Sequence, residues 1–184
     1  ISTVMVILLA LLNDLPILTI AYDNTLLPEK PVRWDMRRAL TLATILGLIG
    51  VAEPFGVLLI GKLWLHLPQA SLQSFLYLKL AVAGHFTLFI VRSRKPFWSK
   101  PHPSPLLLAA VLGPQIAAAL IVGFGFLMAP IPWRYVGFIW LYCIAWAFIE
   151  DWTKLQVYRH LELRSRHHKR FLHRMGTPHH SHPV

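Results

Sequence analysis

Four stretches of this sequence, residues 2–21, 39–60, 72–91 and 106–127, are almost free of charge, and each matches the ~20 helical residues that cross a hydrocarbon layer of ~30 Å. Runs of that length and apolarity read as transmembrane helices rather than as core helices of a soluble domain. A fifth run, residues 135–149, is shorter. Trp133 and Arg134 at one end and Trp152, Lys154 and Tyr158 at the other can anchor it by reaching toward the headgroups. The expected fold is therefore all-α, an integral membrane helical bundle of about five transmembrane helices.

Composition agrees, with 55% hydrophobic and 14% charged residues. A net charge of +10 would suggest nucleic acid in a soluble protein. Here the charge lies between the apolar runs, so membrane lipid is the expected partner and nucleic acid is not. Residues 22–38 carry Lys30, Arg33, Arg37 and Arg38, and residues 92–104 carry Arg92, Arg94, Lys95 and Lys100. The segment after Asp151 adds Lys154, Arg159, Arg164, Arg166, Lys169, Arg170 and Arg174. The connectors on the opposite side hold only Lys62 and Arg134. Excess positive charge marks the cytoplasmic side, which places Ile1 outside and the C-terminus in the cytoplasm.

Two regions follow, a membrane region over residues 1–158 and a basic, histidine-rich cytoplasmic tail over 159–184, which is expected to be disordered. The opening Ile-Ser-Thr has no initiator Met and no basic flank, so it does not resemble a signal peptide and is read as the start of a fragment within a longer protein. The single cysteine, Cys143, excludes an internal disulfide and lies in an apolar run, where packing is its expected role. Gly47, Gly50, Gly56, Gly113, Gly123 and Gly125 are expected to allow close helix approach.

An ionisable side chain inside a span costs about 2.5–3.5 kcal/mol on insertion scales, so each one is a candidate for function. Asp14 is the sharpest, near the middle of the first run, beside Asn13 and two residues before Pro16. Pro16 has no amide hydrogen and leaves the Leu12 carbonyl without its helical donor, so a helix break is expected there. A carboxyl next to freed carbonyls is a proton or cation site. Apolar surroundings favour its protonated form and a nearby cation its charged form, so alternation between the two can load and release a proton. Glu53 before Pro54, and Lys79 and His85 in the third run, are secondary polar candidates. Lys79 and His85 lie six positions apart and do not share one helical face. Glu150 and Asp151 are expected at a solvated end of the last span. In the tail, His167, His168, His179, His180 and His182 can bind metal weakly but lack a regular ligand spacing, so no defined metal site is expected. No catalytic triad, phosphate-binding glycine loop or His-Glu helix motif is present.

The string ALLNDLPILTIAYDN at residues 10–24 resembles the sixth transmembrane helix of the type III P-type ATPases, the proton-exporting pumps of plasma membranes. KPVRW at 30–34, LKLAVAGHFTLFIVRSRKPFWS at 78–99, LLLAAVLGPQI at 106–116 and MAPIPWRYVGFIWLY at 128–142 are similar to the family's seventh to tenth helices and their connectors. Magnesium-transporting members have a loosely similar sixth helix. The resemblance implies that Asp14, with Asn13 beside it, accepts and releases the transported proton in a multi-pass plasma-membrane protein. It also implies that ATP and Mg2+ serve the parent pump and that helices one to five and the cytoplasmic domains are partners of this segment. The family's phosphorylated aspartate opens a DKTGT motif, whereas Asp23, Asp35 and Asp151 are followed by Asn, Met and Trp. This segment alone therefore binds no cofactor and is not catalytic. Pro16 departs from the plant and fungal pattern and fits a prokaryotic member. The readings left beside the proton pump are a magnesium or other cation pump and a non-enzymatic membrane remnant with a weakly metal-binding tail.

Overall fold

A computed structural model describes residues 1–24, 36–93 and 95–175 of the chain. The described residues form helices α1 (Thr3–Thr19), α2 (Met36–Leu59), α3 (Gln69–Val91), α4 (Pro105–Phe124) and α5 (Trp133–Met175). A 3-10 turn, Ile20–Tyr22, extends α1, and a π-turn, Ile60–Trp64, extends α2. The first four helices, with these extensions, are long and apolar enough to cross a membrane. In α5 the apolar part is short, as the sequence indicates, and charged helix follows it.

Local chemistry sets the ends. Ser2 caps α1 by accepting a hydrogen bond from the Met5 amide at 3.3 Å. Ser104 does the same for α4 through the Leu107 amide at 3.2 Å, with Pro105 as the first helical residue. Gly125 ends α4 at φ 73°, a left-handed conformation that favours glycine. From Phe138 to Met175 the sequence has neither Gly nor Pro, and α5 runs unbroken until just before Gly176. Residues 159–175, read from sequence as disordered tail, are thus helical in backbone. Nothing in their local sequence stops a helix already propagating from the membrane.

α3 is the hub and touches each of the other four helices. Phe75, Tyr77, Leu78, Ala81 and Val82 on α3 join Met5, Val57, Ala118, Val122, Ile139 and Cys143 in one buried cluster. Phe75 stacks on Phe138 and meets Tyr135 edge-on, each with ring centroids 6.3 Å apart. Of the glycines, Gly56 permits a close approach: a Cβ there would lie 2.6 Å from the Tyr142 hydroxyl. Gly47, Gly50 and Gly113 face open space, so the expectation of close packing fails for them.

One end of the bundle is held by buried ion pairs. Arg92, in the cap of α3, pairs with Asp23 beyond α1 and donates to the Pro101 carbonyl at 2.6 Å. Asp23 also accepts from the Ser104 amide at 2.9 Å, so it joins the end of α1 to the start of α4. Lys154 of α5, fully buried, donates to Asp151 at 2.6 Å and to the carbonyls of Ile90 and Lys95 at 2.9 Å each. A cation at the C-terminal carbonyls of α3 is favourably placed. This corrects the expectation that Glu150 and Asp151 are solvated: they are 4% and 1% exposed. Asp151 is neutralised by Lys154, and Glu150 accepts from Thr87 Oγ1 at 3.2 Å.

Replacing Lys154 by Met leaves the Asp151 carboxylate buried without its cation. The expected cost is about 3–5 kcal/mol, visible as a lowered unfolding midpoint of the detergent-solubilised protein. An unchanged midpoint would show that water reaches this end.

Candidate functional site

The bundle-facing side of α1 repeats at helical spacing, with Met5 and Pro16 buried and Leu8, Leu9 and Leu12 packed against the core. Asp14 lies two residues after Leu12, roughly 200° further around the helix, and is exposed on the side that the described residues leave uncovered. Among the described residues it has no hydrogen-bond or ion-pair partner. It sits eight residues before Tyr22, about 12 Å from that end of the apolar span Thr3–Tyr22 and near the middle of the span. Asn13 is half-buried, and its side-chain oxygen would lie 3.6 Å from a Cβ added at Gly84 of α3.

The break expected at Pro16 does not occur, since α1 is continuous from Thr3 to Thr19 with Pro16 inside it. The physical reason lies across the helix interface. The Leu12 carbonyl, which Pro16 cannot serve, meets Nε2 of His85 on α3 at 3.4 Å. A membrane helix tolerates an internal proline where a neighbouring helix supplies the missing donor. The Leu12 carbonyl is therefore answered by His85 and is not left free beside Asp14.

The secondary candidates separate, as their helical angles require. Lys79 of α3 pairs with Glu53 of α2 at 2.8 Å, and both are buried, at 2% and 3% exposure. Around them Tyr142 donates to the Glu53 carbonyl at 3.0 Å, and the Cys143 thiol reaches the Lys79 carbonyl at 3.9 Å. His85 instead faces α1. Gln115 of α4, fully buried, donates to the Val82 carbonyl at 3.3 Å, one turn before His85 on α3. Of the tail histidines, His167 and His168 have side chains outside the described residues, and His179, His180 and His182 lie outside them entirely. Among the described residues no group of three metal-ligating side chains occurs. A cleft of about 670 Å³ between α2 and α5, lined by Thr41, Ile45, Trp152 and His160 among others, does not include Asp14.

The polar contacts between helices were not foreseen from the sequence. The Asp23–Arg92 pair was invisible because its partners are separated by two intervening connectors. Gln115, in an otherwise apolar helix, was the one legible signal, since a buried amide needs a partner on another helix.

No family model matches the chain. It is 47% identical over 163 residues to a protein of Methanocaldococcus jannaschii that carries the name of a cation-transporting ATPase, covering 89% of this chain and 20% of that relative. It is 26% identical over 181 residues to a protein of Leishmania donovani named as a proton ATPase, covering 82% and 19%. A plasma membrane ATPase of Kluyveromyces lactis is 33% identical over 124 residues, covering 66% and 14%. The chain thus spans between 14% and 20% of the length of these curated relatives.

The Glu53–Lys79 pair yields a double-mutant test. Lys79→Met alone is expected to lower stability by about 3 kcal/mol or more, because it strands the Glu53 carboxylate, while Glu53→Gln with Lys79→Met recovers most of the loss. Unfolding midpoints in detergent measure both, and additive losses would contradict a direct pair.

Proposed function

The homologues of this chain are P-type ATPases, and on that premise we propose that it forms the membrane portion, helices six to ten, of an ATP-driven proton-exporting pump in which Asp14 carries the transported proton. Helices one to five and the ATP-hydrolysing domains, with their ATP and Mg2+, belong to the rest of such a pump. The C-terminus of this segment lies in the cytoplasm, on the side marked by the basic connectors.

The observation that supports the reading is the situation of Asp14: a carboxyl deep in an apolar helix, without a partner among the described residues, on the side of α1 that those residues leave open. A charge there cannot face lipid without a cost of about 2.5–3.5 kcal/mol. In the intact pump that side of α1 is covered by protein or by a water-filled path, and the carboxyl is presented to it. ATP-driven rearrangement then exposes Asp14 alternately to the two sides. It is protonated where its surroundings are apolar and releases the proton where a cation or water stabilises the carboxylate. Helices α2 to α5 support this movement as a packed block around α3. The name of the M. jannaschii relative favours a second reading, a pump for another cation, with the same carboxylate as its ligand.

In sealed vesicles holding the intact pump, ATP-driven acidification is expected without any transported metal cation in the buffer, and Asp14→Asn is expected to abolish it. Full pumping by Asp14→Asn would contradict the role of this residue. Hydrolysis that requires a particular metal cation and moves no protons would favour the second reading.

A further inference from the structure

Building on the proposed role of Asp14, we propose that His85 is its positioning residue: the imidazole holds the Leu12 carbonyl that Pro16 leaves free and so fixes which way α1 presents the carboxyl. Three independent features of the chain meet at this point. Pro16 has no amide hydrogen, so the carbonyl four residues earlier has no donor within its own helix. His85 is 1% exposed and brings Nε2 within 3.4 Å of that carbonyl oxygen. Because a carbonyl only accepts, Nε2 carries the hydrogen. The second ring nitrogen, Nδ1, is buried and makes no full hydrogen bond among the described residues, while the Ala81 carbonyl, one turn earlier on α3, also lies close to the ring.

The geometry makes this contact directional. Leu12 and Pro16 lie on the bundle-facing side of α1, and Asp14 lies between them in sequence on the opposite side. Apolar packing of Met5, Leu8 and Leu9 against the core tolerates small rotations of α1, whereas a hydrogen bond to one carbonyl does not. Asn13 faces Gly84 at the same interface, where a Cβ would make only an ordinary contact 3.6 Å from its side-chain oxygen. Releasing the bond leaves a helix with one unanswered carbonyl at a proline, which is where a membrane helix bends most readily. The His85 contact therefore selects the straight form of α1 and one orientation of Asp14.

The test uses the intact pump in sealed vesicles and four forms: wild type, His85→Leu, Pro16→Ala and the double variant. Pro16→Ala returns an amide hydrogen to the Leu12 carbonyl, so it should make His85 dispensable. His85→Leu is expected to lower protons moved per ATP hydrolysed by about fivefold, the scale of one lost hydrogen bond, while hydrolysis itself continues. The double variant is expected to stay within roughly twofold of Pro16→Ala. His85→Gln, which keeps an N–H donor, should retain most of the coupling. An equal fold loss in both proline and alanine backgrounds, no loss at all in His85→Leu, or parallel falls in transport and hydrolysis would each overturn the proposal. Should His85→Leu fail to reach the membrane, Pro16→Ala must restore its accumulation, and failure to do so overturns the proposal equally. Asp14→Asn assayed alongside separates the two readings. Normal pumping by that variant removes the carrier role of Asp14, whereas the coupling between positions 16 and 85 is read independently from the double variant.

Discussion

Inside a hydrocarbon layer a polar group finds no water, so each one must be answered by another part of the protein, and this requirement shapes the whole bundle. The Leu12 carbonyl is met by His85, Glu53 by Lys79, Glu150 by Thr87, the Val82 carbonyl by Gln115, and the last carbonyls of α3 by Lys154. Every one of these contacts crosses between helices. Apolar packing brings the helices together without fixing their rotation, while polar contacts fix it. Asp14, deep in its span, is without a partner among the described residues, and the buried Tyr77 hydroxyl and Gln115 Oε1 also make no hydrogen bond there.

The contacts divide the chain unequally. α3 touches each of the other four helices and carries Lys79, His85 and Thr87, each tied to a different neighbour. α1 is tied by the Leu12–His85 contact near its middle and by the Asp23–Arg92 pair beyond its end, and much of its surface stays uncovered. A rigid hub beside a lightly held helix suits a pump in which the helix carrying the proton must change its surroundings. The clasp of Asp23, Arg92, Asp151 and Lys154 ties helix ends and connectors into one block, so motion of α1 would be transmitted to that end.

Much of this was legible from residue patterns. Apolar length gave the helices and nearly gave the bounds of α1 and α3. The depth of Asp14 marked it as the polar position to explain. What local sequence could not provide was the partner across an interface. Pro16 was read as a break because nothing near it in sequence offers a donor, yet His85, 73 residues away, supplies one. Glu150 and Asp151 were read as solvated because they stand where an apolar run ends. The run ends there in sequence, but α3 and the connector after it cover those side chains. Glu53 and Lys79 were judged singly, since two residues on different helices declare a pairing only once the helices are placed. The extension of α5 beyond the membrane was missed for another reason: high charge was taken for disorder in a stretch that contains no helix breaker.

The central claim is that the Asp14 carboxyl itself gains and loses the transported proton. Infrared difference spectra of the intact pump, recorded as ATP drives it between states, test this most directly. The account predicts a carboxylic-acid carbonyl band that changes between states and is missing from the Asp14→Asn variant. A band that changes identically in the variant would assign the proton to another group and contradict the account.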